Sequence, residues 1–359
     1  MRKYRIFLIA VLMLLLGVLA YHNREYLFGD PQKTVVNVEN TDSMPVVSNE
    51  GETECMVYPS GQPIGIYVKT KGVMVIGVNA VQSADGTEIS PCEGALIPGD
   101  YIMWINGKAV NDKTDLIALI QQSEGEEILL RVCRENQYQN IRVTPIKKED
   151  GKYAIGVWVK DDISGIGTLT YTDGERFAAL GHSINDNDTG LMFRVSDGAV
   201  YDTTIVRIRK PEQDTPGRLE GIINYTGRYV IGRVEENSAY GIHGYLTKRQ
   251  QKTHENDMKV AVGHKSDVHV GTAYLLSSVS GESKNYKVEI VSVDADNENG
   301  RCMELKVTDP DLLTLTGGIV QGMSGTPILQ DGRLIGAVTH VFVNDSTRGY
   351  GIFIEEMMQ

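Results

Sequence analysis

Gly317-Gly318-Ile319-Val320-Gln321-Gly322-Met323-Ser324-Gly325-Thr326-Pro327-Ile328 reads as an apolar strand, a glycine-bounded turn and a second strand. Glycines on both sides of Ser324 let the backbone turn sharply and leave amide N–H groups pointing outward, where an oxyanion would form. The run Leu334-Ile335-Gly336-Ala337-Val338-Thr339-His340 then predicts a hairpin directly after the turn. A serine hydroxyl is a poor nucleophile at neutral pH and needs an adjacent base. Far upstream, Ala178-Ala179-Leu180-Gly181-His182-Ser183 offers one at the end of a predicted strand. Taken alone, the short serine motif also fits a plain β-turn, in which Ser and Gly are common for local reasons.

Outward from the turn, short Val/Ile/Thr/Tyr runs follow one another from about residue 152, including 166–172, 203–209, 229–234, 268–276, 286–293, 302–307 and 334–339. Turn residues separate them, and no long helical period intervenes until a tail at 352–358. Regular short strands over roughly 200 residues predict a β-barrel or a pair of barrels.

The whole chain of 359 residues has room for two domains, and its 38 glycines favour β structure over helix. A net charge of −12 argues against a nucleic-acid or anionic-lipid binding surface. The N-terminus reads as export: Met1-Arg2-Lys3-Tyr4-Arg5 is basic and residues 6–20 are an unbroken apolar run. The run is short for a full membrane span, and Val18-Leu19-Ala20 offers a cleavage site. An anchor or slowly removed leader (1–20) is the favoured reading, and both forms place the rest outside the cytoplasm. Residues 21–58 are polar and aperiodic, a stalk. Cys55, Cys92, Cys133 and Cys302 lack metal-ligand spacing, and no cofactor motif is present. An exported chain can pair Cys92 with Cys133, but free buried thiols are preferred.

Residues 59–147 carry a different pattern. Pro63-Ile64-Gly65-Ile66-Tyr67-Val68 and 73–78 are followed by Gly94-Ala95-Leu96-Ile97-Pro98-Gly99-Asp100, then Ile105-Asn106-Gly107, an amphipathic helix over 113–122, and strands at 128–134 and 138–145. This order resembles PDZ domains. The resemblance implies that the loop matching Ile64, Gly65 and Ile66 presents amides to a peptide's C-terminal carboxylate, the peptide adding as a strand. The remainder, 148–359, forms the predicted barrel domain.

Which residues complete the site is open from the residues alone. His182 is preferred among seven histidines, with His340 in reserve. His22 falls in the stalk and His254 in a polar stretch, while His243, His264 and His269 are harder to dismiss. For an acid to orient the base, Asp309 competes with Asp311, Asp294, Asp296 and Asp202. Asp309-Pro310 is equally a helix N-terminal signal.

The Ser324 segment resembles the Gly-x-Ser-Gly-x-Pro nucleophile stretch of chymotrypsin-like peptidases, which implies an oxyanion hole made by the amides of Gly322 and Ser324. Residues 165–171, Phe177-Ala178-Ala179-Leu180-Gly181-His182, and 317–344 together with Gly349-Tyr350-Gly351-Ile352 resemble the sporulation serine peptidase family, the stage IV sporulation protein B group. The expected fold is mainly β: a leader, a PDZ-like domain and a chymotrypsin-like β-barrel peptidase domain. The resemblance puts the triad on His182, Asp309 and Ser324. It implies secretion from the forespore into the intermembrane space and cleavage of a regulatory partner of an intramembrane metalloprotease, which leads to sigma-factor activation. It also implies cleavage of the chain's own N-terminal region and PDZ-governed self-association. Gly318 offers no acidic pocket floor. A catalytically silent PDZ-bearing scaffold that binds protein C-termini is the competing reading.

Overall fold

A single 16-residue strand, Pro63–Val78, organises the molecule. Its first half, Ile64, Ile66 and Val68, is buried between two neighbours, and its second half, Val73 and Val75, enters a different core. Gly72, at φ +78°, sits where the strand passes between them, and an added Cβ there would lie 2.5 Å from the Ile102 carbonyl oxygen. In a computed structural model, residues 54–212, 215–253, 258–297 and 299–359 are described. The expected leader, most of the stalk, and His22 and His254 lie outside them.

The first core is a closed barrel. Strand Pro63–Val78 pairs with Val157–Thr172 on one side and Asp197–Arg209 on the other. The ring continues through Val230–Ser238, Gly241–Leu246 and Arg176–Ala179, and returns to Val157–Thr172. Closure leaves no free edge. A second ring links Gly271–Ser277, Lys284–Val293, Met303–Val307, Arg348–Phe353, Arg333–Val341 and Pro327–Gln330, the last pairing back to the first. Val288, Leu305, Ile328, Val338 and Ile352 fill it. The short strand Met56–Pro59 pairs with Val157–Thr172 of the first ring and with Val260–Val262 beside the second, joining the two.

The smaller module is an insertion in the first barrel. The chain leaves the barrel along strand 63–78 and builds Tyr101–Ile105, helix Lys113–Gln122, Ile128–Arg134 and Gln137–Val143. It re-enters along strand 157–172, which pairs with 74–78 on the way. Asp112 caps the helix by accepting from the Asp115 amide, and Leu116 and Ile120 turn inward onto Val73, Ile102 and Leu130.

This corrects two expectations. The barrel begins at Pro63 rather than near residue 148, because 63–69 supply one of its strands. Ile64, Gly65 and Ile66 are likewise no peptide-binding loop. They pair with Gly167, Ile166 and Gly165 on one side and with Asp202, Tyr201 and Val200 on the other, so both edges are occupied. Two separate apolar runs predicted two elements in one small domain, whereas Tyr67-Val68-Lys69-Thr70 continues the first run into the second without a break in extended structure.

Candidate active site

His182 and Ser324 come from different barrels and line one cavity of about 820 Å³. His182 follows strand Arg176–Ala179 of the first barrel. Leu180, at φ +74°, and Gly181, at φ +72°, bend the chain out of the sheet to deliver it. A non-glycine residue in left-handed conformation is uncommon and persists where surrounding packing over-determines it. Leu180 is 5% exposed and packs among Ile66, Leu169 and Val200.

Ser324 stands in the turn before strand Pro327–Gln330 of the second barrel. Gly325, at φ +93°, tolerates no side chain, since a Cβ would lie 2.2 Å from the Thr168 carbonyl oxygen and 2.5 Å from the Leu180 amide nitrogen. Strand 157–172 of the first barrel clamps the turn. Thr168 donates from Oγ1 to the Gly322 carbonyl at 2.8 Å and from its amide to the Ser324 carbonyl at 2.9 Å, and Thr170 Oγ1 donates to the Gly325 carbonyl at 2.8 Å. Gln321, Met323, Gly325 and Thr326 all spend their amides inside the protein. The described hydrogen bonds use neither the Gly322 nor the Ser324 amide, the pair the sequence singles out for an oxyanion.

The hydroxyl and the base are each parked on a backbone carbonyl. Ser324 Oγ donates to the Thr339 carbonyl at 2.9 Å. His182 Nδ1 lies 2.9 Å from the Ser183 carbonyl. A carbonyl only accepts, so Nδ1 carries the proton and Nε2 is the basic nitrogen, the tautomer a general base needs. Burial pushes the His182 pKa down, opposed by that carbonyl contact. His340, one residue beyond Thr339, packs against His182 in a tilted arrangement, with ring centroids 5.3 Å apart and planes at 36°. Desolvation of the side turned toward the cavity, then His182 and the Arg301 cation, push His340 down to about 4, although the ring keeps an exposed side.

Asp309 is elsewhere. It caps helix Pro310–Thr316, accepting from the Asp311 amide at 3.0 Å and the Leu312 amide at 3.1 Å, and its other oxygen accepts from the Lys287 amide at 3.1 Å. Strand Met303–Val307 separates it from the His182 end of the barrel, where Gly300 accepts from Thr339 Oγ1. At about 3.3 Å per residue that strand alone spans about 13 Å. The helix-cap signal visible in Asp309-Pro310 is the one that prevails. Asp202, Asp294, Asp296 and Asp311 do not line the cavity either. The carboxylates that do are committed: Asp162 accepts from the Tyr67 hydroxyl, and Asp186 from Lys160, Thr189 and the Asp188 amide. Burial opposes charge on Asp186, but Lys160 and Thr189 outweigh it and hold the carboxyl below its usual range.

Thr168, Thr170 and Thr339 were not legible as site residues. The available signal was polar β-branched residues alternating along an apolar strand, since a buried hydroxyl must find an acceptor. No group of three or more potential metal ligands is assembled among the described residues.

Two barrels contributing a serine in an amide-lined turn and a histidine in the base tautomer to one cavity define a chymotrypsin-like serine peptidase. The chain belongs to the SpoIVB peptidase S55 family, whose model matches residues 151–358. Among solved structures, it is similar to the PDZ domain of an SdrC-like protein from Listeria monocytogenes, at 21% identity over 26% of this chain and 90% of that one, with a TM-score of 0.21. It is also similar to the Rv3671c protease in its inactive form, at 12% identity over 54% of this chain and 81% of that one, with a TM-score of 0.30.

Proposed function

We propose that the protein is an endopeptidase in which Ser324 is the nucleophile, His182 the general base, and the Gly322 and Ser324 amides the oxyanion hole. The observation that carries this is the shared cavity, with Nδ1 of His182 protonated and two turn amides left unspent. Rotation of the Ser324 side chain off the Thr339 carbonyl brings Oγ to a scissile carbonyl. As the Oγ–C bond forms, the hydroxyl proton passes to His182 Nε2 and the carbonyl oxygen takes the negative charge to the two amides. His182 then protonates the leaving amine, and water resolves the acyl-enzyme by the same steps. Catalytic hydrogen bonds that are loose in a free enzyme commonly form only with substrate bound. The Ser183 carbonyl holds the base's tautomer in place of Asp309.

Family membership supports a protein substrate. The finer reading is that the enzyme acts outside the cytoplasm on a regulatory membrane protein of a sporulation signalling pathway, and on its own N-terminal region. The PDZ-like module is assigned to substrate docking or self-association. Strand 157–160 pairs only with strand 63–78 among the described residues and runs beside helix 113–122, whose Gln121 side chain hydrogen-bonds the Tyr153 amide and carbonyl. Ile155-Gly156-Val157 leads into that edge and takes over the docking role first assigned to Ile64, Gly65 and Ile66.

The test is to incubate the full chain and its Ser324→Ala variant, each alone and with an unfolded protein substrate, and to read fragments by mass spectrometry. The wild type should cleave the substrate and trim its own N-terminal region while the variant does neither. Equal cleavage by both would remove Ser324 from the reaction, and no cleavage by either would favour the silent scaffold.

A further inference from the structure

We propose that His340 is a positioning residue for the reaction, the neutral ring packed against His182 that stabilises its imidazolium where no carboxylate does. The inference rests on His182 being the base.

When His182 takes the Ser324 proton it becomes a cation in a partly enclosed site, and an unpaired charge there is costly. A triad meets that cost with a carboxylate. Here the described hydrogen bonds of His182 go only to the Ser183 carbonyl, Asp309 is spent on a helix terminus, and Asp162 and Asp186 are occupied. The group that does lie against the ring is His340, at 5.3 Å between centroids with the planes tilted by 36°. A cation within about 6 Å of an aromatic ring's centre is attracted by the ring's electron-rich face. An imidazole serves in this way only while it is itself uncharged. The Arg301 guanidinium, lining an adjoining cavity with His340, disfavours a second positive charge beside it. The register is fixed as well: Thr339, the preceding residue, accepts from Ser324 Oγ through its carbonyl and donates from Oγ1 to Gly300. The same strand therefore seats the nucleophile and the ring that supports the base. No proton reaches His340 in this scheme; it moves from Ser324 to His182 and on to the leaving amine.

The experiment compares His340→Phe, which keeps a ring and loses the nitrogens, with His340→Gln, which keeps polar groups and loses the ring. Both are made in the wild-type and His182→Ala backgrounds, with folding checked by near-ultraviolet circular dichroism. Contacts of this kind predict that His340→Gln lowers kcat about tenfold with KM unchanged, while His340→Phe stays within about twofold of wild type. In the His182→Ala background neither change should matter, because residues acting as a unit are non-additive. The inference is overturned if Gln supports full activity, if Phe is as impaired as Gln, if only KM moves, or if the loss persists without His182. Fluorophosphonate labelling of Ser324 in the unsubstituted enzyme is read in parallel. Its absence would overturn the Ser324–His182 assignment, whereas its presence with a silent His340 would overturn this inference alone.

Discussion

Replacing Asp309 separates a helix cap from a catalytic acid. Its carboxylate accepts three backbone amides, from Asp311, Leu312 and Lys287, at 3.0 to 3.1 Å. Losing an N-cap acceptor to alanine costs about 1 kcal/mol. Freeing the partly exposed Lys287 amide adds about 0.5 to 1.5 kcal/mol. Asp309→Ala should therefore destabilise by about 2 kcal/mol, which at about 2 to 4 °C per kcal/mol lowers the melting temperature by about 4 to 8 °C. Asparagine caps about as well as aspartate, so Asp309→Asn should recover the cap, about half of that loss, while its Nδ2, a donor, cannot replace the oxygen that accepts from the Lys287 amide. In thermal melts and steady-state peptide hydrolysis run well below the transition, the Asn variant should keep kcat within a few-fold of wild type. A triad acid behaves otherwise, because its amide replacement leaves the fold intact and lowers kcat by about 10⁴. An Asn variant with a wild-type melt and a loss on that scale would refute the cap reading and restore Asp309 to the triad.

Because burial lowers the His182 pKa below its ordinary value, the acid limb of kcat/KM should fall below pH 6.5; a limb above that value would contradict a half-buried neutral base. The stability effect has the same sign. His340, at about 4 when folded, gives stability that is present above its unfolded pKa and lost as pH falls through the interval between the two, a small effect because the ring keeps an exposed side, readable in melts from pH 7 to 4. Gly65→Val should depress hydrolysis of small and large substrates together and lower the melting temperature. A Cβ at Gly65 meets Thr203 Oγ1 at 2.5 Å and Ile223 at 2.7 Å on the outer face of the barrel, where strand Arg218–Ile223 lies against it, and overpacking of this sort costs about 1 to 3 kcal/mol; retained small-substrate activity would argue for a docking role instead. Lys160→Ala should raise hydrogen exchange across residues 185–190, because Lys160 is the cation holding Asp186 and Asp188 in the loop after the base. Unchanged exchange would show that the Thr189 and backbone contacts suffice.

Much of the second barrel was legible, because its strands read as short apolar runs between turn residues. The expected strands at 286–293, 302–307 and 334–339 lie within or beside Lys284–Val293, Met303–Val307 and Arg333–Val341, and helix 113–122 matches residue for residue. Arg218–Ile223 and Gly241–Leu246 were missed, since Gly221 and Gly244 interrupt their patterns. Those glycines admit close neighbours: a Cβ at 244 would lie 1.9 Å from the Arg233 carbonyl oxygen. The insertion of the small module was not legible either. Strand pairing across some ninety residues leaves no local periodicity, and strand 63–78 reads the same whichever core each half enters. At the candidate site, Ser324 and His182 were singled out by local turn chemistry, and the structure brings them to one cavity. The Thr168 clamp and the His182–His340 contact are tertiary and left only weak marks in sequence.

The most direct test of the central claim is mapping a fluorophosphonate adduct on the intact chain. The account predicts one adduct, on Ser324, abolished in Ser324→Ala and slowed by orders of magnitude in His182→Ala. An adduct on another residue, or undiminished labelling of Ser324 without His182, would contradict it.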